Sequence, residues 1–314
     1  MKTTTPQTLL EAVGYFSDEA RCVEFLAKIR WDMGQPVCPK CGSMKCVPLK
    51  TRKLYNCCEK ECGKQFSVKS GSIFEKSPIP LTKWLPVVWM LVCDRNGVSS
   101  YEIARALGVS QQTSWFMLHR IREGLQSGLV GKLSGQVEID ETFVGGKSVH
   151  MSPARRQKAG INTGRATSNK TVVMGIVERG GVVVAKVVNN TRRRSLIREI
   201  EKTVEEGSNV YTDALKSYDT LRFKYNHSTV DHKYAFVQGE AHTNTLENFW
   251  SLLKRSLKGT YVQVAPFHLD RYVTEQAFRY NNRKKSDAER FVKALSQMFG
   301  KRLTYEELTG ATTA

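Results

Sequence analysis

The sequence predicts a multidomain protein of mixed α+β and α/β class, with small modules in the first half and an α/β domain after them. Six cysteines crowd between Cys38 and Cys62, which indicates a compact metal-stabilised module. Two short helical patterns follow around a glycine, and strand and helix patterns then alternate over most of the second half. The 314 residues suffice for two or three compact units.

The composition favours a polyanionic partner. The chain carries 48 Lys and Arg against 30 Asp and Glu, a formal net charge of +18, which favours nucleic acid first and a membrane surface second. Hydrophobic residues make up 40% of the chain, enough to build real cores. No apolar run approaches the ~20 residues of a membrane helix, and the polar first residues lack a signal-peptide core. We therefore expect a cytoplasmic protein with reduced thiols.

The residues before the cysteines predict helical structure. Ser17 is a suitable N-cap, and acidic residues in the first turn favour a helix that ends between Trp31 and Gly34. Beyond the cysteines, a Ser-, Pro- and Gly-containing linker leads to an apolar helix from Leu81 to Cys93, interrupted early by Pro86.

The crowded cysteines predict a structural zinc ribbon. Two residues separate Cys38 from Cys41 and a glycine follows, which suits a tight thiolate turn around a tetrahedral ion. A second pair ends with Cys62 and begins with either Cys57 or Cys58. We favour Cys57, because the Tyr-x-Cys phasing resembles that of known ribbons. A segment this small has too little core to fold unless a metal contributes binding energy, although a set of unligated thiols is the alternative.

Two adjacent helical patterns predict a helix-turn-helix. Gly108 permits a sharp turn, and Ser110 caps the second helix. Any αα-hairpin would share this pattern, but the neighbouring cysteines and the basic composition favour a DNA-binding module. The second helix would then offer polar side chains to DNA, namely Gln111, Gln112, Thr113, Ser114 and, further along, His119, Arg120 and Arg122.

The stretch from Val137 to Gly146 predicts a strand that ends in a glycine turn. Its alternation places apolar residues near one face and Glu138, Asp140 and Thr142 on the other. Carboxylates on such a face usually meet only water. Two more acidic positions in suitable contexts, on a chain that is otherwise strongly basic, favour a functional site instead.

A basic segment follows this strand. Residues 147–170 carry six Lys or Arg and no acidic residue, and their polar, Gly- and Ser-containing sequence predicts a flexible loop. Like charges without counter-ions repel each other unless a polyanion neutralises them, so phosphate contact is favoured over a merely solvated loop. The candidates for DNA contact here are Arg155, Arg156, Lys158 and Arg165.

The remaining patterns predict an α/β order of three strands, helix, strand, helix, strand and helix. This is the order of an RNase H-like (retroviral-integrase-like) domain. Its later elements are a hairpin of β-branched runs at residues 171–177 and 182–188, a helix capped by Thr191, a short strand ending on Asp213, a helix-like stretch at residues 214–221, a strand near residues 228–231, and a helix from Asn244 or Thr245.

The helix that begins near Asn244 carries a charged stripe. Glu247, Ser251, Lys254 and Lys258 follow one another at spacings of three and four residues. Lys254 lies two turns beyond Glu247, so both can reach one substrate, and Lys258 joins the candidates for DNA contact. A solvent-facing Glu/Lys stripe would explain the spacing equally well.

Asp140, Asp213 and Glu247 together predict a two-metal site. Three ionised carboxylates in one place repel each other, whereas Mg²⁺ or Mn²⁺ ions, which favour oxygen ligands, remove that cost. Such ions activate water or a 3′-hydroxyl and stabilise the leaving oxygen of a phosphodiester. The sequence contains no phosphate-binding loop, so no nucleotide cofactor is implied. Spacing alone leaves open a serine or tyrosine nucleophile of the recombinase type, although nothing points to one.

The chain resembles the zinc-ribbon, helix-turn-helix, DDE insertion-sequence transposases of bacteria, of the ISXO-like group. The resemblance spans roughly residues 16–283. The shared motifs are Cys-Pro-x-Cys-Gly at 38–42, Gly-Lys-Gln-Phe-Ser-Val at 63–68, Gly-Ser-Ile-Phe-Glu at 71–75, the strand at 138–146, Tyr-Thr-Asp at 211–213, the helix start at 242–254 and Phe-Arg-Tyr-Asn at 278–281. The widened second cysteine pair departs from the family pattern and puts the third zinc ligand in question.

The resemblance implies a DNA transposase with Asp140, Asp213 and Glu247 as its catalytic carboxylates and Lys254 as their basic partner. Such an enzyme binds the terminal inverted repeats and performs Mg²⁺-dependent strand cleavage and transfer. Because both DNA ends must be handled together, we expect a homodimer or larger assembly on double-stranded DNA, associated with the nucleoid. The alternatives are a DNA-binding regulator with an inactive last domain, and a membrane-surface protein that uses the basic loop.

The expected domain boundaries follow from these motifs. They are a helical segment at residues 1–35, a zinc ribbon at 36–70, a helix-turn-helix domain at 80–128, an RNase H-like catalytic domain at 133–285, and a C-terminal helix and tail at 286–314. Ser286 is expected to cap the C-terminal helix, and the tail after Thr304 is expected to be mobile.

Overall fold

The computed structural model describes residues 5–31, 34–49, 52–126, 131–146, 152–158, 170–230 and 242–310. The chain divides into two compact units, Met1–Ser127 together with Asn282–Ala314, and Gly128–Asn281. Within the described ranges, no helix is long and apolar enough to cross a membrane.

The helices and strands fall into three groups along the chain. The first part of the chain forms α1 (Leu9–Tyr15), α2 (Glu19–Arg30), β1 (Cys46–Leu49), β2 (Leu54–Cys57), β3 (Gln65–Phe66), α3 (Leu81–Cys93), α4 (Ser100–Leu107) and α5 (Gln111–Gly124). The middle forms β4 (Gln136–Val144), α6 (Pro153–Lys158), β5 (Thr171–Glu178), β6 (Val183–Val188), α7 (Arg193–Thr203), β7 (Asn209–Asp213), β8 (Asn226–Val230), α8 (Asn244–Gly259) and α9 (Leu269–Asn281). The end forms α10 (Asp287–Ser296) and α11 (Tyr305–Thr309).

Helix α3 is central to the core of the first unit. Nine of its 13 residues are buried, as expected of a helix that is apolar on all sides. The ring of Phe291, from α10, lies 5.0 Å from that of Trp89 and 5.6 Å from that of Phe16. The expected interruption at Pro86 is wrong, since α3 continues through it. Burial of the surrounding apolar side chains outweighs the one backbone hydrogen bond that proline removes.

The caps of the first unit agree with the sequence pattern in part. Ser286 caps α10 as predicted. Helix α2 is capped by Asp18 instead of Ser17, because the Ser17 hydroxyl donates to Gly14 at the end of α1, a helix that the pattern did not indicate. The expectation of a mobile tail after Thr304 is wrong for residues 305–309, which form α11 and bury Leu308.

Helices α4 and α5 occupy the two positions that the sequence pattern indicates. Gly108 lies between them with φ of +62°, a conformation that glycine adopts without strain. The Ser110 side chain accepts a hydrogen bond from the backbone N–H of Thr113, so it caps α5 as predicted.

The second unit is built on a five-stranded sheet of order β6-β5-β4-β7-β8. The β6, β5 and β4 strands are antiparallel neighbours, whereas β7 and β8 continue parallel to β4. One face of the sheet packs against α7, and the other packs against α8 and α9. The stretch at residues 214–221, expected to be helix-like, contains only short 3-10 helices at Lys216–Tyr218 and Leu221–Phe223.

Helices α8 and α9 close one side of this sheet. The predicted stripe of α8 is buried, namely Leu246, Phe249, Trp250, Leu253 and Leu257. Helix α9 lies along the edge strand β6. There Asp270 Oδ1 accepts from the backbone N–H of Val187 at 3.0 Å, and the Asn281 side chain accepts from the N–H of Val183 at 2.8 Å and donates to its carbonyl oxygen at 2.9 Å.

Candidate functional site

Two predicted catalytic residues come from neighbouring parallel strands. The pairing of β4 with β7 sets Glu138 opposite Tyr211, and Asp140 and Asp213 each follow two residues later on their own strand. Carboxylate oxygens of Asp140, Asp213 and Glu141 all lie within 4.8 Å of one another. Residues far apart in the chain therefore meet at one place in the sheet.

Glu141 is a member of this acidic cluster that the sequence pattern did not single out. Strict alternation along a strand assigns Glu141 to the face opposite Asp140, but its side chain is long enough to reach the same place. Its Oε1 atom is buried without a hydrogen-bond partner. The only signal in the sequence is its position next to Asp140.

The electrostatics of the cluster disfavour ionised carboxylates. Burial, together with the charges of Asp213 and Glu247, raises the pKa of Asp140 to about 6, although a hydrogen bond from Trp250 opposes the shift. Burial, together with the charges of Asp213 and Asp140, raises the pKa of Glu141 to about 8. A divalent cation would reverse this preference, because it stabilises the ionised oxygens.

Glu247 and Lys254 line the same cleft as Asp140. The cleft has a volume of about 350 Å³ and is lined by Asp140, Glu141, Thr142, Glu247, Trp250, Ser251 and Lys254. Both Glu247 and Lys254 are exposed on α8. Glu247 does not belong to the group of oxygens within 4.8 Å, so the structure brings together Asp140 and Asp213 and leaves Glu247 at the wall of the cleft.

Trp250 joins α8 to the acidic cluster. Its indole Nε1 donates a hydrogen bond to Asp140 Oδ2 at 2.9 Å. The ring lies against Gly175, the residue of β5 that pairs with Asp140. A Cβ atom at Gly175 would lie 2.6 Å from the Trp250 ring, so only glycine leaves room for the indole.

The acidic cluster fits a divalent ion of the Mg²⁺ or Mn²⁺ type. Its carboxylate oxygens lie within 4.8 Å of one another. Such oxygens are the hard ligands that Mg²⁺ and Mn²⁺ favour. The buried and unpartnered Oε1 of Glu141 is the kind of atom that a cation would satisfy. The residues that could hold the ion are Asp140, Asp213 and Glu141, with Glu247 close by on the cleft wall.

A second candidate metal site lies in the first unit. The sulfur atoms of Cys38, Cys41, Cys57 and Cys62 lie within 4.8 Å of one another, with 3.7 Å between Cys38 and Cys62 and 3.6 Å between Cys41 and Cys57. A Zn²⁺ ion with ~2.3 Å bonds to four thiolates holds its sulfur atoms roughly 3.8 Å apart. The cluster therefore supports Zn²⁺, and Cys58, which is exposed, lies outside it.

The polar residues at the start of α5 differ in exposure. Gln112 is exposed, whereas Gln111 and Thr113 are half-buried. Gln111 Nε2 donates to the hydroxyl of Ser100 at 2.8 Å, and Gln112 Nε2 donates to the hydroxyl of Tyr305 at 2.7 Å. These amides already have protein partners that a DNA base would have to replace.

Ser114 and Arg120 face the interior, and the expectation that they contact DNA is wrong. Ser114 is fully buried, with its hydroxyl bonded to the preceding turn. Arg120 is 4% exposed, and its Nη2 donates to the carbonyl oxygen of Glu75 at 2.7 Å. His119 and Arg122 are buried too. The buried face of α5 is wider than the single apolar stripe that its sequence indicates, so these polar side chains lie inside the unit.

The basic candidates of the second unit are only partly described. Lys258 is exposed near the end of α8. Arg155, Arg156 and Lys158 belong to α6, so the expected loop is helical at Pro153–Lys158, but their side chains lie outside the described part of the chain, as does all of Arg165.

Two regions of the chain match models of known families. Residues 17–65 match a transposase zinc-ribbon domain, and residues 132–281 match an ISXO2-like transposase domain. The first match contains the four clustered cysteines, and the second contains Asp140, Asp213, Glu247 and Lys254.

Individual relatives agree with these matches. An uncharacterized protein in transposable element ISH50 of Halobacterium salinarum is 30% identical over 256 residues, which cover 77% of this chain and 84% of that protein. An uncharacterized transposase-like protein of Haemophilus influenzae is 32% identical over 101 residues, 32% of this chain and 81% of that protein. A crystal structure of a pre-cleavage Mos1 transpososome aligns over 94% of this chain and 97% of that chain at 14% identity, with a TM-score of 0.15, too low to indicate a common fold.

The two family matches, one over the clustered cysteines and one over the α/β unit with its converging carboxylates, identify an insertion-sequence transposase. The chain belongs to the ISXO2-like transposase family.

Proposed function

We propose that the chain is a DDE-type DNA transposase that binds the terminal inverted repeats of an insertion sequence and catalyses Mg²⁺- or Mn²⁺-dependent strand cleavage and transfer. The observation that carries this proposal is the convergence of Asp140 and Asp213 from two neighbouring parallel strands. The sheet, with three antiparallel strands followed by two parallel ones, supports an RNase H-like second unit.

Asp140, Asp213 and Glu247 are proposed as the ion-holding carboxylates, with Glu141 as a further oxygen ligand. Divalent ions, when bound, activate the attacking oxygen and stabilise the leaving oxygen of the phosphodiester. Glu247 lies in the first turn of α8 and lines the cleft, so a rotation of its exposed side chain would bring it towards Asp140. Lys254, exposed on the same wall, would hold a substrate phosphate.

The first unit and the basic surface are proposed to hold DNA. Zinc bound by the four clustered cysteines would fold the ribbon, and α4 and α5 would act as the helix-turn-helix, with Gln111, Gln112 and Thr113 nearest the bases. The formal charge of +18 supports phosphate binding. Both ends of an element must be cut together, so we propose a homodimer or larger assembly. The proposed phosphate contacts are Arg155, Arg156, Lys158, Arg165 and Lys258.

A second candidate function is a DNA-binding regulator whose second unit is inactive. One observation favours it: Glu247 lies outside the group of carboxylate oxygens within 4.8 Å. A regulator would bind the terminal repeats without cutting them, and substitution of Asp140, Asp213 or Glu247 would not change its binding.

Strand cleavage by Asp140→Asn in Mg²⁺ tests the proposed function. The substitution replaces a carboxylate of the cluster by a neutral amide of the same shape. We therefore expect the rate of cleavage of a terminal-repeat duplex to fall at least ~10³-fold, while DNA binding is retained. Asp219→Asn, an equal change at an exposed position of the second unit, is the matched control. Cleavage by Asp140→Asn at the wild-type level would exclude Asp140 as a ligand. Repeat binding by the wild type without cleavage in either Mg²⁺ or Mn²⁺ would favour the regulator.

A further inference from the structure

Glu138 is a buried carboxylate that the proposed chemistry does not use. It lies on β4, two residues before Asp140 and on the same face, and its side chain is 0% exposed. An isolated carboxylate at such a depth is costly to ionise, so its partners decide what it does there.

The first partners of Glu138 are at the start of α8. Its Oε2 accepts from the backbone N–H of Thr245 at 3.0 Å and of Leu246 at 3.3 Å, and its Oε1 accepts from the Thr245 hydroxyl at 2.9 Å. Thr243, at the N-cap position, makes no side-chain capping bond. Glu138 therefore caps α8 from the sheet, where its negative charge also suits the positive end of the helix dipole.

A cation balances the carboxylate. Arg179, in the turn between β5 and β6, donates from Nε to Glu138 Oε1 at 2.8 Å, and from Nη2 to the carbonyl oxygen of His242 at 2.9 Å. The guanidinium lies 4.3 Å from the ring centroid of Tyr211 on β7, and His242 Nδ1 lies 3.3 Å from Glu138 Oε1. Glu138 thus joins β4, β7, the β5–β6 turn and the residues that lead into α8.

We propose that Glu138 is a positioning residue: it holds the first turn of α8 against β4 and so keeps Glu247 on the wall of the cleft that Asp140 lines, within reach of the metal site. Glu247 belongs to that first turn, and Trp250, one turn later, is bonded to Asp140. The inference rests on the proposed metal-binding role of Asp140 and Glu247. Metal affinity then depends on a carboxylate whose own partners are Arg179 and the start of α8.

The variant Glu138→Gln preserves volume but removes the negative charge and one of the two acceptor oxygens to which Arg179, the Thr245 hydroxyl and the N–H of Leu246 donate. We expect the first turn of α8 to loosen, which faster hydrogen exchange of its amides would report. Mn²⁺ binding, followed by the EPR signal of the free ion, should weaken about 10-fold, as is usual for a lost contact behind a metal ligand.

A double-mutant cycle with Glu247→Gln separates positioning from general destabilisation. If Glu138 acts through Glu247, then Glu138→Gln weakens Mn²⁺ binding in the wild type but adds less than ~2-fold in the Glu247→Gln background. Glu275→Gln is the control, because Glu275 is another buried carboxylate of the second unit paired with an arginine, Arg279. It should lower thermal stability without weakening Mn²⁺ binding.

Three outcomes would overturn the inference. In the first, the losses of Mn²⁺ affinity caused by Glu138→Gln and Glu247→Gln multiply in the double variant, so the two residues act independently. In the second, Glu275→Gln loses as much Mn²⁺ affinity as Glu138→Gln. In the third, Glu138→Gln folds and binds Mn²⁺ as tightly as the wild type. Should Glu138→Gln fail to fold, Arg179→Lys enters the same cycle, since it keeps the charge but loses the forked contact. A wild-type chain that binds Mn²⁺ without cutting DNA would contradict the proposed transposase activity and leave this cycle measurable, whereas one that binds no Mn²⁺ would overturn the inference as well.

Discussion

The indole Nε1 of Trp250 donates a 2.9 Å hydrogen bond to Asp140 Oδ2 and so links helix α8 to the central strand β4. The bond uses one oxygen of the carboxylate and orients the other. Because the ring is buried under α8, the direction of Asp140 depends on how that helix sits on the sheet. Helix α8 is thus held to β4 at two points on either side of Glu247: Glu138 accepts from the N–H of Thr245 before it, and Trp250 after it donates to Asp140.

We expect Trp250→Phe to fold but to cleave DNA about 10-fold more slowly. The phenyl ring keeps most of the buried contact but has no N–H, so Asp140 loses its orientation and its pKa rises further. The loss of one hydrogen bond to a charged group should cost about 1.5–3 kcal/mol of stability. Denaturant unfolding and cleavage assays measure the two effects. Trp115→Phe, in the first unit, is the control, and equal cleavage rates in both variants would contradict the role of the bond.

Gly175→Ala should displace Trp250. The added methyl group would lie 2.6 Å from the indole and 2.9 Å from Leu246, so α8 must shift away from the sheet. Overpacking of this kind costs about 1–3 kcal/mol, and we expect cleavage to fall with it. Gly259→Ala, at the end of the same helix, is the control, because a Cβ there meets nothing within 4 Å. Unfolding curves and cleavage rates that match for the two variants would contradict the close packing.

The stability of the metal-free protein should fall as pH rises. Asp140 and Glu141 have folded-state pKa values of about 6 and about 8, above their ordinary values of 3.8 and 4.5. The folded state therefore binds more protons than the unfolded chain, and this stabilisation is complete below the ordinary values and is lost as pH passes the raised ones. Thermal unfolding from about pH 5 to about pH 8 should show a shallower decline in Asp140→Asn and Glu141→Gln.

Mg²⁺ or Mn²⁺ should restore that stability most strongly at the alkaline end. The ions need ionised carboxylates, so their binding competes with protons, and a ligand that binds only the folded state raises its stability by mass action. A stabilisation by Mn²⁺ that is independent of pH would show that these carboxylates are not the ligands.

Cys57→Ser should remove zinc, and Cys58→Ser should not. Cys57 is one of the four clustered thiols, whereas Cys58 is exposed outside them. We expect elemental analysis to find one zinc per chain in the wild type and in Cys58→Ser, and much less in Cys57→Ser, whose ribbon should also lose its fold. The reverse pattern would mean that the second pair of ligands begins at Cys58.

Features set by neighbouring residues could be predicted from the sequence. The buried stripe of α8 follows from its apolar spacing, and the Ser286 and Ser110 caps follow from local hydrogen bonds. The predicted Ser17 cap is wrong because α1, before it, already engages that hydroxyl. Local patterns therefore place an element well but do not decide which of two adjacent residues caps it.

Features set by distant contacts are harder to predict. Arg120 resembles a DNA contact in sequence because it follows a helix-turn-helix pattern on a basic chain, but its guanidinium donates to the carbonyl oxygen of Glu75, 45 residues earlier. Glu138 accepts hydrogen bonds from Thr245, 107 residues later. The Glu141 carboxylate lies beside that of Asp140 although strand alternation assigns the two side chains to opposite faces. A pattern of neighbouring residues carries no information about such contacts between distant parts of the chain.

The bonds that Asp270 and Asn281 make to β6 bear on how copies of the chain can associate. An outer strand with vacant amides invites strand addition from another molecule. Here the amides of Val183 and Val187 are already occupied by side chains of α9. If copies of the chain join to hold two DNA ends, as proposed, they would have to detach α9 before extending the sheet at β6, so assembly through other surfaces would leave the second unit intact.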